Sequence, residues 1–365
     1  MFKQSKKIMS LILLIVFTIF FTACSSSNTN ISDNEFKKYK EEKFNTQDST
    51  KSNNVDDIIK IHFIDVGQAD SILIQDSNNN TMLIDAGNND DSDLVVNYIR
   101  SQGINTINYV IGTHPHEDHI GGLDAVINNF NVSKVILPKV TSTTKTYKDV
   151  LLSIKNKKLS ITPAVAGKSF FLGDTKCEII SPNNSQYDDL NNYSVVLKLT
   201  YKNNSFLFTG DCEDFCENEI LSLGYDLKSD LLKVGHHGSN SSTSLPFLKS
   251  VSPKYAVISV GKNNKYHHPT QETLDRLNSQ NIKTYRTDEL GNIIVTSDGN
   301  NIVIDKTSTT NAIARDVVYP IQYVYITKTG KKYHKKNCSS LKSTTISISL
   351  EEAQKSYTPC SKCNL

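Results

Sequence analysis

The sequence contains no tryptophan and only 3 methionines among its 365 residues, an absence that carries no functional information. Strong charge of one sign is missing too. Lys and Arg number 40 against 38 Asp and Glu, a formal net charge of +2, so no overall electrostatic preference for nucleic acid is written into the chain. Long apolar runs are scarce. The one such segment, Ile8–Phe21, follows Lys3, Lys6 and Lys7 and ends at Phe21-Thr22-Ala23-Cys24. A positive start, an apolar stretch too short and badly flanked for a permanent span, and a small-residue end mark an export signal. A single export segment excludes transport of a polymer through a membrane by this chain alone.

What the sequence does have is a concentration of metal ligands. His114-Pro115-His116-Glu117-Asp118-His119 packs three imidazoles and two carboxylates into six residues, with Gly121-Gly122 behind. Before it stands Tyr109-Val110-Ile111-Gly112, an apolar run that reads as a buried strand. A strand ending in such a loop aims several side chains into one cavity, and histidine nitrogen and aspartate oxygen are the usual ligands of catalytic zinc and similar ions. The bland alternative is a histidine-rich surface loop.

The chain divides by composition. Residues 1–24 form the export signal, and their end resembles a bacterial lipobox, with Phe21 in place of the usual leucine. Cys24 is then the lipidation site, anchoring the chain to the outer face of the bacterial cell membrane. Several acyl chains on one cysteine hold stably where one holds marginally; an ordinary signal peptide or an uncleaved anchor is the alternative. Residues 25–57 are polar and charged, the composition of a disordered tether. Order is expected from Ile58. Ile58–Ile64, Ser71–Ile74 and Met82–Ile84 read as strands, with a turn at Asn78-Asn79-Asn80. Asp93–Gln102 has helical periodicity.

Three segments then carry a resemblance: Phe63–Asp70 (FIDVGQAD), Leu83–Gly87 (LIDAG) and Thr113–Gly122 (THPHEDHIGG). Later ones extend it in Asn191–Val196, Phe206–Asp211, Leu232–Ser239, Tyr255–Gly261 and Tyr285–Gly291. Together they resemble the metallo-β-lactamase superfamily, and within it the hydrolase domain of ComEC-type DNA-uptake proteins, over roughly residues 58–305. The resemblance implies an α/β fold, the αββα sandwich, with its metal site at one edge of the two sheets. Strand-rich halves with helices between them point to the same class.

The resemblance also implies site residues. His114 and His116 would bind one ion, Asp118 and His119 a second, and Asp211 would bridge both, as a two-metal site requires. A late histidine completes the second ion's own set of ligands, either His236 or His237. His236 is favoured because it comes first after the strand Leu231–Val234. The superfamily's third histidine of the first site is missing, and Asn192-Tyr193-Ser194 stands in its place. Asn192 as an amide ligand favours oxygen-tolerant ions such as manganese over zinc, or leaves that site weakly filled. Asp85 is expected to orient a ligand histidine rather than bind metal, or to be a plain turn residue. His268 is read as a contact to a phosphoryl oxygen, a proton donor to the leaving group, or a satisfied surface histidine. Gly238–Ser242 precedes a helix expected near Ser244, a place that favours anions and that ordinary helix capping explains equally well.

After Asp305 comes a linker, 306–317, then a small module, 318–365, opening on a strand over Val317–Thr327. His334, Cys338, Cys360 and Cys363 have the spacing of a zinc knuckle, and the module resembles small Ada-like metal-binding domains. So short a segment cannot bury a large core and needs a staple, with a structural zinc favoured over a disulfide. Its eight lysines face two glutamates, a balance of +6, either a contact to nucleic acid or wall polymer or a solvated surface. Cys177, Cys212 and Cys216 are expected as buried free thiols, with a metal or redox role for the last two as the rival.

The expected function is hydrolysis by metal-bound hydroxide on one or two divalent ions, zinc or manganese. Asp118 and Asp211 would hold the nucleophile, with His268 beside them. The first substrate is a phosphodiester such as DNA at the cell surface. The alternatives are another ester (phosphocholine, a nucleotide or a lactone) or a non-enzymatic surface binder. The expected partners are that substrate and the membrane, through the lipid anchor; no protein partner is expected.

Overall fold

The computed structural model describes residues 57–306, 323–336, 338–341 and 345–363, all within one unit, Val55–Leu365. The expected export signal with Cys24, the expected tether up to residue 56 and the expected linker from residue 307 lie outside the described residues, while Lys306, expected to open that linker, ends a strand.

The strands come in chain order as β1 (Ile59–Phe63), β2 (Ile72–Asp76), β3 (Thr81–Ile84), β4 (Thr106–Ile111), β5 (Asn131–Leu137) and β6 (Ile161–Pro163). Next are β7 (Ser169–Leu172), β8 (Thr175–Ser181), β9 (Val196–Tyr201), β10 (Asn204–Phe208), β11 (Leu231–Lys233), β12 (Tyr255–Ile258) and β13 (Lys283–Arg286). β14 (Ile293–Ser297) and β15 (Ile302–Lys306) close the series. They form an 8-stranded sheet, β15-β14-β1-β2-β3-β4-β5-β6, and a 7-stranded sheet, β13-β12-β11-β10-β9-β8-β7. The antiparallel half of the first sheet joins the consecutive strands β1-β2-β3 to the β14-β15 hairpin, whose β14 pairs with β1, whereas β3 through β6 pair in parallel and need helical crossovers.

Alternation decides which face each strand turns inward. Ile59, Ile61 and Phe63 of β1 meet Leu197, Leu199, Phe206 and Phe208 between the sheets, with the Phe63 and Phe208 rings 6.2 Å apart. Leu73, Leu83, Val110 and Val135 point the other way. There they pack under three helices, α1 (Ser92–Ser101), α3 (Leu123–Asn129) and α4 (Lys145–Asn156), while α2 (Glu117–Ile120) is a single turn between the first two. Helix α1 buries Val95, Val96 and Ile99, one stripe of its surface. On the second sheet, Leu207, Leu232, Ala256 and Ile258 are covered by α5 (Asp214–Ser222), α6 (Leu245–Val251) and α7 (Gln271–Ser279). Three apolar layers between four structural layers make the αββα sandwich.

The expected strand over Val317–Thr327 is present as β16 (Tyr323–Thr327), its earlier residues lying outside the described residues. It pairs with a strand at Thr345–Ser349 over a small core of Val324, Ile326, Tyr333 and Ala353. No helix among the described residues is long and apolar enough to cross a membrane.

Candidate metal centre

The ligand-bearing side chains stand where strands end. β1 runs out toward Asp70, β3 into Asp85, β4 into His114–His119, β10 into Asp211 and β11 into His236–His237. Carboxyl ends of strands are where α/β sheets form ligand crevices. Helix α2 begins directly after His116 and carries Asp118 and His119. It is pressed against the loop after β3, since a Cβ on Gly121 would stand 2.3 Å from the Asn88 carbonyl carbon, and one on Gly122 2.4 Å from the Ala86 oxygen. The backbones are tied as well: Ala86 N donates to His119 O (2.7 Å) and Asp70 N to Asp118 O (3.1 Å). Glu117 turns outward and accepts from Asn89 Nδ2 (2.7 Å), so this carboxylate of the motif faces away from the cluster.

Asp118, His119, Asp211 and His237 bring one ligand atom each within 4.8 Å of one another. His119 Nε2 is 3.2 Å from Asp211 Oδ2, and His237 Nε2 is 3.3 Å from Asp118 Oδ2. His114 lies against His119 with ring centroids 4.2 Å apart, and its Nε2 is 3.0 Å from His116 Nδ1. Asp85 accepts from Thr113 N (2.8 Å) and Thr113 Oγ1 (2.7 Å) and meets His119 Nδ1 at 2.8 Å, which turns Nε2 of that ring toward the cluster. Asp70 sits beneath His237, 3.4 Å from Nδ1, while Ser259 O is 3.0 Å from the same nitrogen.

These groups fit a divalent cation. His119 Nε2 and Asp211 Oδ1 are buried and make no hydrogen bond, a costly state for a polar atom unless a ligand satisfies it. Four carboxylates, Asp70, Asp85, Asp118 and Asp211, meet one buried lysine, so the centre carries excess negative charge. Burial works against the charged ring of His237, yet Asp211 and Asp70 lift its pKa to about 10. Burial likewise opposes a charged His119, and Asp211, Asp118 and Asp85 hold it well above the ordinary range. His114 goes the other way, lowered by its burial and by the neighbouring His119. Such a field attracts cations, whether protons or metal.

The preference for His236 is reversed. His237 is 2% exposed and joins the cluster, whereas His236 is 23% exposed and turns Nδ1 to Glu213 Oε1 at 3.2 Å. Both residues have left-handed backbone, φ 46° and 52°, a conformation that rotates the second side chain inward. Asn192 is buried, but its amide oxygen accepts from Cys216 N (3.3 Å). The residue of that segment nearest His114 is Ser194, whose Oγ lies 3.4 Å from Nδ1 and accepts from Asp211 N (3.0 Å). His268 is half-buried, its ring 5.6 Å from that of His236. The expectation of free thiols at Cys212 and Cys216 is overturned: they form a disulfide, with Cα atoms 5.5 Å apart, while Cys177 is free and buried. The Asp70–Lys233 pair was missed as a unit; the Asp-x-Gly-x-x-Asp turn before β2 was its only signal.

In the tail, His334, Cys338, Cys360 and Cys363 come together, with ligand atoms within 4.8 Å, and the three cysteines are free. His334 Nδ1 is 3.3 Å from Cys338 Sγ and 3.9 Å from Cys363 Sγ. Three sulfurs and one imidazole nitrogen are a donor set that suits zinc.

Comparison with known families matches the metallo-β-lactamase superfamily over residues 64–262. The chain belongs to that superfamily. Its ComEC-like hydrolase domain is similar to ComE operon protein 3 of Bacillus subtilis, 30% identical over 251 residues, 64% of this chain and 32% of that protein. It is also similar to competence protein ComA of Neisseria gonorrhoeae, 29% identical over 242 residues, 62% of this chain and 30% of that protein. The chain thus spans about a third of the length of these relatives. Among solved structures, the metallo-β-lactamase fold protein YhfI of Bacillus subtilis aligns at 11% identity with a TM-score of 0.45, covering 66% of this chain and 100% of that one.

Proposed function

We propose that this metallo-β-lactamase superfamily protein hydrolyses a phosphodiester, DNA foremost, at the outer face of the cell membrane, anchored through Cys24. The observation that carries the reading is the Asp118, His119, Asp211 and His237 cluster, four ligand atoms within 4.8 Å. His114, His116 and Asp211 would hold one ion, and Asp118, His119, His237 and Asp211 a second, with zinc or manganese suited to the donors. When bound, such ions act as Lewis acids and make a water acidic enough to ionise near neutral pH.

The chain's own groups do the rest. Asp118 is the more solvent-exposed acid of the cluster, 32% against 2% for Asp211, and is placed to hold and orient an attacking water, its carboxylate kept ionised against its burial by His119 and His237. Asp211 is held in place by its backbone N–H on Ser194 Oγ. Burial and the charges of His236 and His237 push His268 down to a pKa of about 4, so its neutral ring offers a hydrogen bond to a phosphoryl oxygen. Cys338, Cys360, Cys363 and His334 would hold a separate structural zinc. The similarity to competence proteins supports a cell-envelope setting.

The test uses the full chain in a Cys360→Ser background, so that ions in the tail do not count. Asp118→Ala and Asp211→Ala are expected to lose metal by elemental analysis. Hydrolysis of bis-p-nitrophenyl phosphate is expected to fall roughly hundredfold or more, the scale of removing one charge-stabilising group. Unchanged metal content in both variants sinks the assignment.

A further inference from the structure

The loop from Gly261 to Pro269, between β12 and α7, is built around one side chain. Asn264 Nδ2 donates to Gly261 O (2.9 Å) and His268 O (2.6 Å), and its Oδ1 accepts from Tyr266 N (3.1 Å) and His268 N (3.0 Å). Both ends of the loop are therefore fixed by the same residue. The loop's roots admit no slack either: a Cβ on Gly261 would stand 2.5 Å from Gln68 N, and one on Gly238 2.5 Å from Pro269 Cβ.

This rigid loop displays Tyr266, which is 55% exposed. Its ring stacks on His268 at 5.8 Å with 28° between planes, and the His268 ring meets His236 edge-on at 5.6 Å. His236 Nε2 in turn lies 3.7 Å from Asp211 Oδ2. A row of rings thus runs from the ligand cluster out to an exposed aromatic face. Lys265 Nζ lies 5.0 Å from the Tyr266 centroid. Beside the row is a surface cavity of about 610 Å³ lined by Lys262, His267, His268 and Arg286, and by the carboxylates Asp288 and Glu289, both of which are paired with Arg286.

We infer that Tyr266 is a stacking platform for a base of a single-stranded polynucleotide whose phosphodiester lies at the Asp211 cluster, with Lys265 and Lys262 meeting flanking phosphates. The inference rests on the phosphodiester reading and names its substrate as single-stranded. Base–aromatic stacking tolerates any sequence, because every base has a π-face, and commonly works with a cationic groove along the backbone. A paired base in a duplex has no free face to offer. A base arriving on the ring displaces the Lys265 ammonium, which then finds a phosphate. A quaternary ammonium also binds aromatic faces, but Lys265 and Lys262 would oppose it, and the cavity's carboxylates, Asp288 and Glu289, are already paired with Arg286.

The test measures binding of fluorescent single-stranded oligonucleotides, phosphorothioate-linked to resist cleavage, to the manganese-loaded full chain. One oligonucleotide carries all its bases and its partner is abasic at every position. The wild type is expected to bind the base-bearing strand roughly tenfold more tightly. Tyr266→Ala abolishes that difference, Tyr266→Phe keeps it, and Lys265→Gln weakens both strands alike. Equal affinity of the wild type for the two strands overturns the platform, as does a Tyr266→Ala variant that retains the difference, or choline competing where a nucleoside does not. Cleavage of ordinary oligonucleotides is followed in parallel. Cleavage without base preference removes the platform and leaves the hydrolase reading. Base preference without cleavage of any phosphodiester overturns the hydrolase reading and leaves Tyr266 as a binding site.

Discussion

Lys233 has no exposure at all, and its ammonium lies 2.8 Å from Asp70 Oδ2 and donates to Val234 O at 2.8 Å. Burial alone would raise the Asp70 pKa, yet Lys233 and His237 bring it down to about 2. A buried pair of this kind adds little over a hydrophobic pair, but removing one partner strands a charge at a cost of roughly 3–5 kcal/mol. Lys233→Met is therefore expected to destabilise the protein by about that amount. Lys233→Met with Asp70→Asn should recover much of the loss in a double-mutant cycle read by urea unfolding. A single-variant loss below about 1 kcal/mol contradicts the pairing. At this scale the ligand motif was legible because it is local, six residues after one strand. Asp70 and Lys233 were not, because only the closed fold brings β1's exit and β11 together. The choice between His236 and His237 hung on two positive φ angles, which histidine does not advertise. Cys212 and Cys216 were expected as free thiols, but α5 begins only at Asp214, and the turn that carries Cys212 before it brings the two within reach of a disulfide.

At the scale of elements, periodicity carried most of the information. Helix α1 and strands β1 to β4 follow apolar patterns that any one-face burial imposes. Strand β6, with all three residues exposed, has no such pattern and was invisible. The contact between β1 and α1 shows what alternation leaves behind. His62 falls on the helix-facing side of β1, 1% exposed, with Nδ1 2.9 Å from Tyr98 Oη. Burial, and then the Lys60 charge, lower its pKa from 6.5 to about 4. Between those values the unfolded chain binds a proton that the folded chain refuses. The stabilisation is therefore complete above pH 6.5 and lost as pH falls through 4, by roughly 3 kcal/mol. The unfolding free energy of the wild type should drop more between pH 7.5 and pH 4.5 than that of His62→Leu. Parallel pH profiles for the two proteins contradict the assignment.

Across the whole molecule, charge is nearly balanced while the tail is not, and the two parts meet at Asp93, 3.4 Å from Tyr325 Oη and 3.9 Å from Lys336 Nζ. The tail's ligands stand outside the Asp118–Asp211 cluster, so truncation after Lys306 is expected to leave hydrolysis of bis-p-nitrophenyl phosphate within about threefold of the full chain, too small a change for a lost catalytic group. DNA is a different test, because each lysine that pairs with a phosphate releases counterions and steepens the fall of binding with salt. The full chain's efficiency on single-stranded DNA should decline strongly between 50 and 200 mM salt, the window over which such contacts typically weaken binding by orders of magnitude. The truncated chain should decline less, while the small diester, with a single phosphate to hold, stays nearly flat for both. Comparing slopes rather than rates separates attraction from chemistry, since screening acts on the approach of a polyanion and hardly on groups already in contact inside a buried cluster. Equal DNA slopes with and without the tail would place its lysines on a solvated surface. A small-diester rate that collapses on truncation, with the sandwich still folded, would tie the tail to the catalytic centre instead.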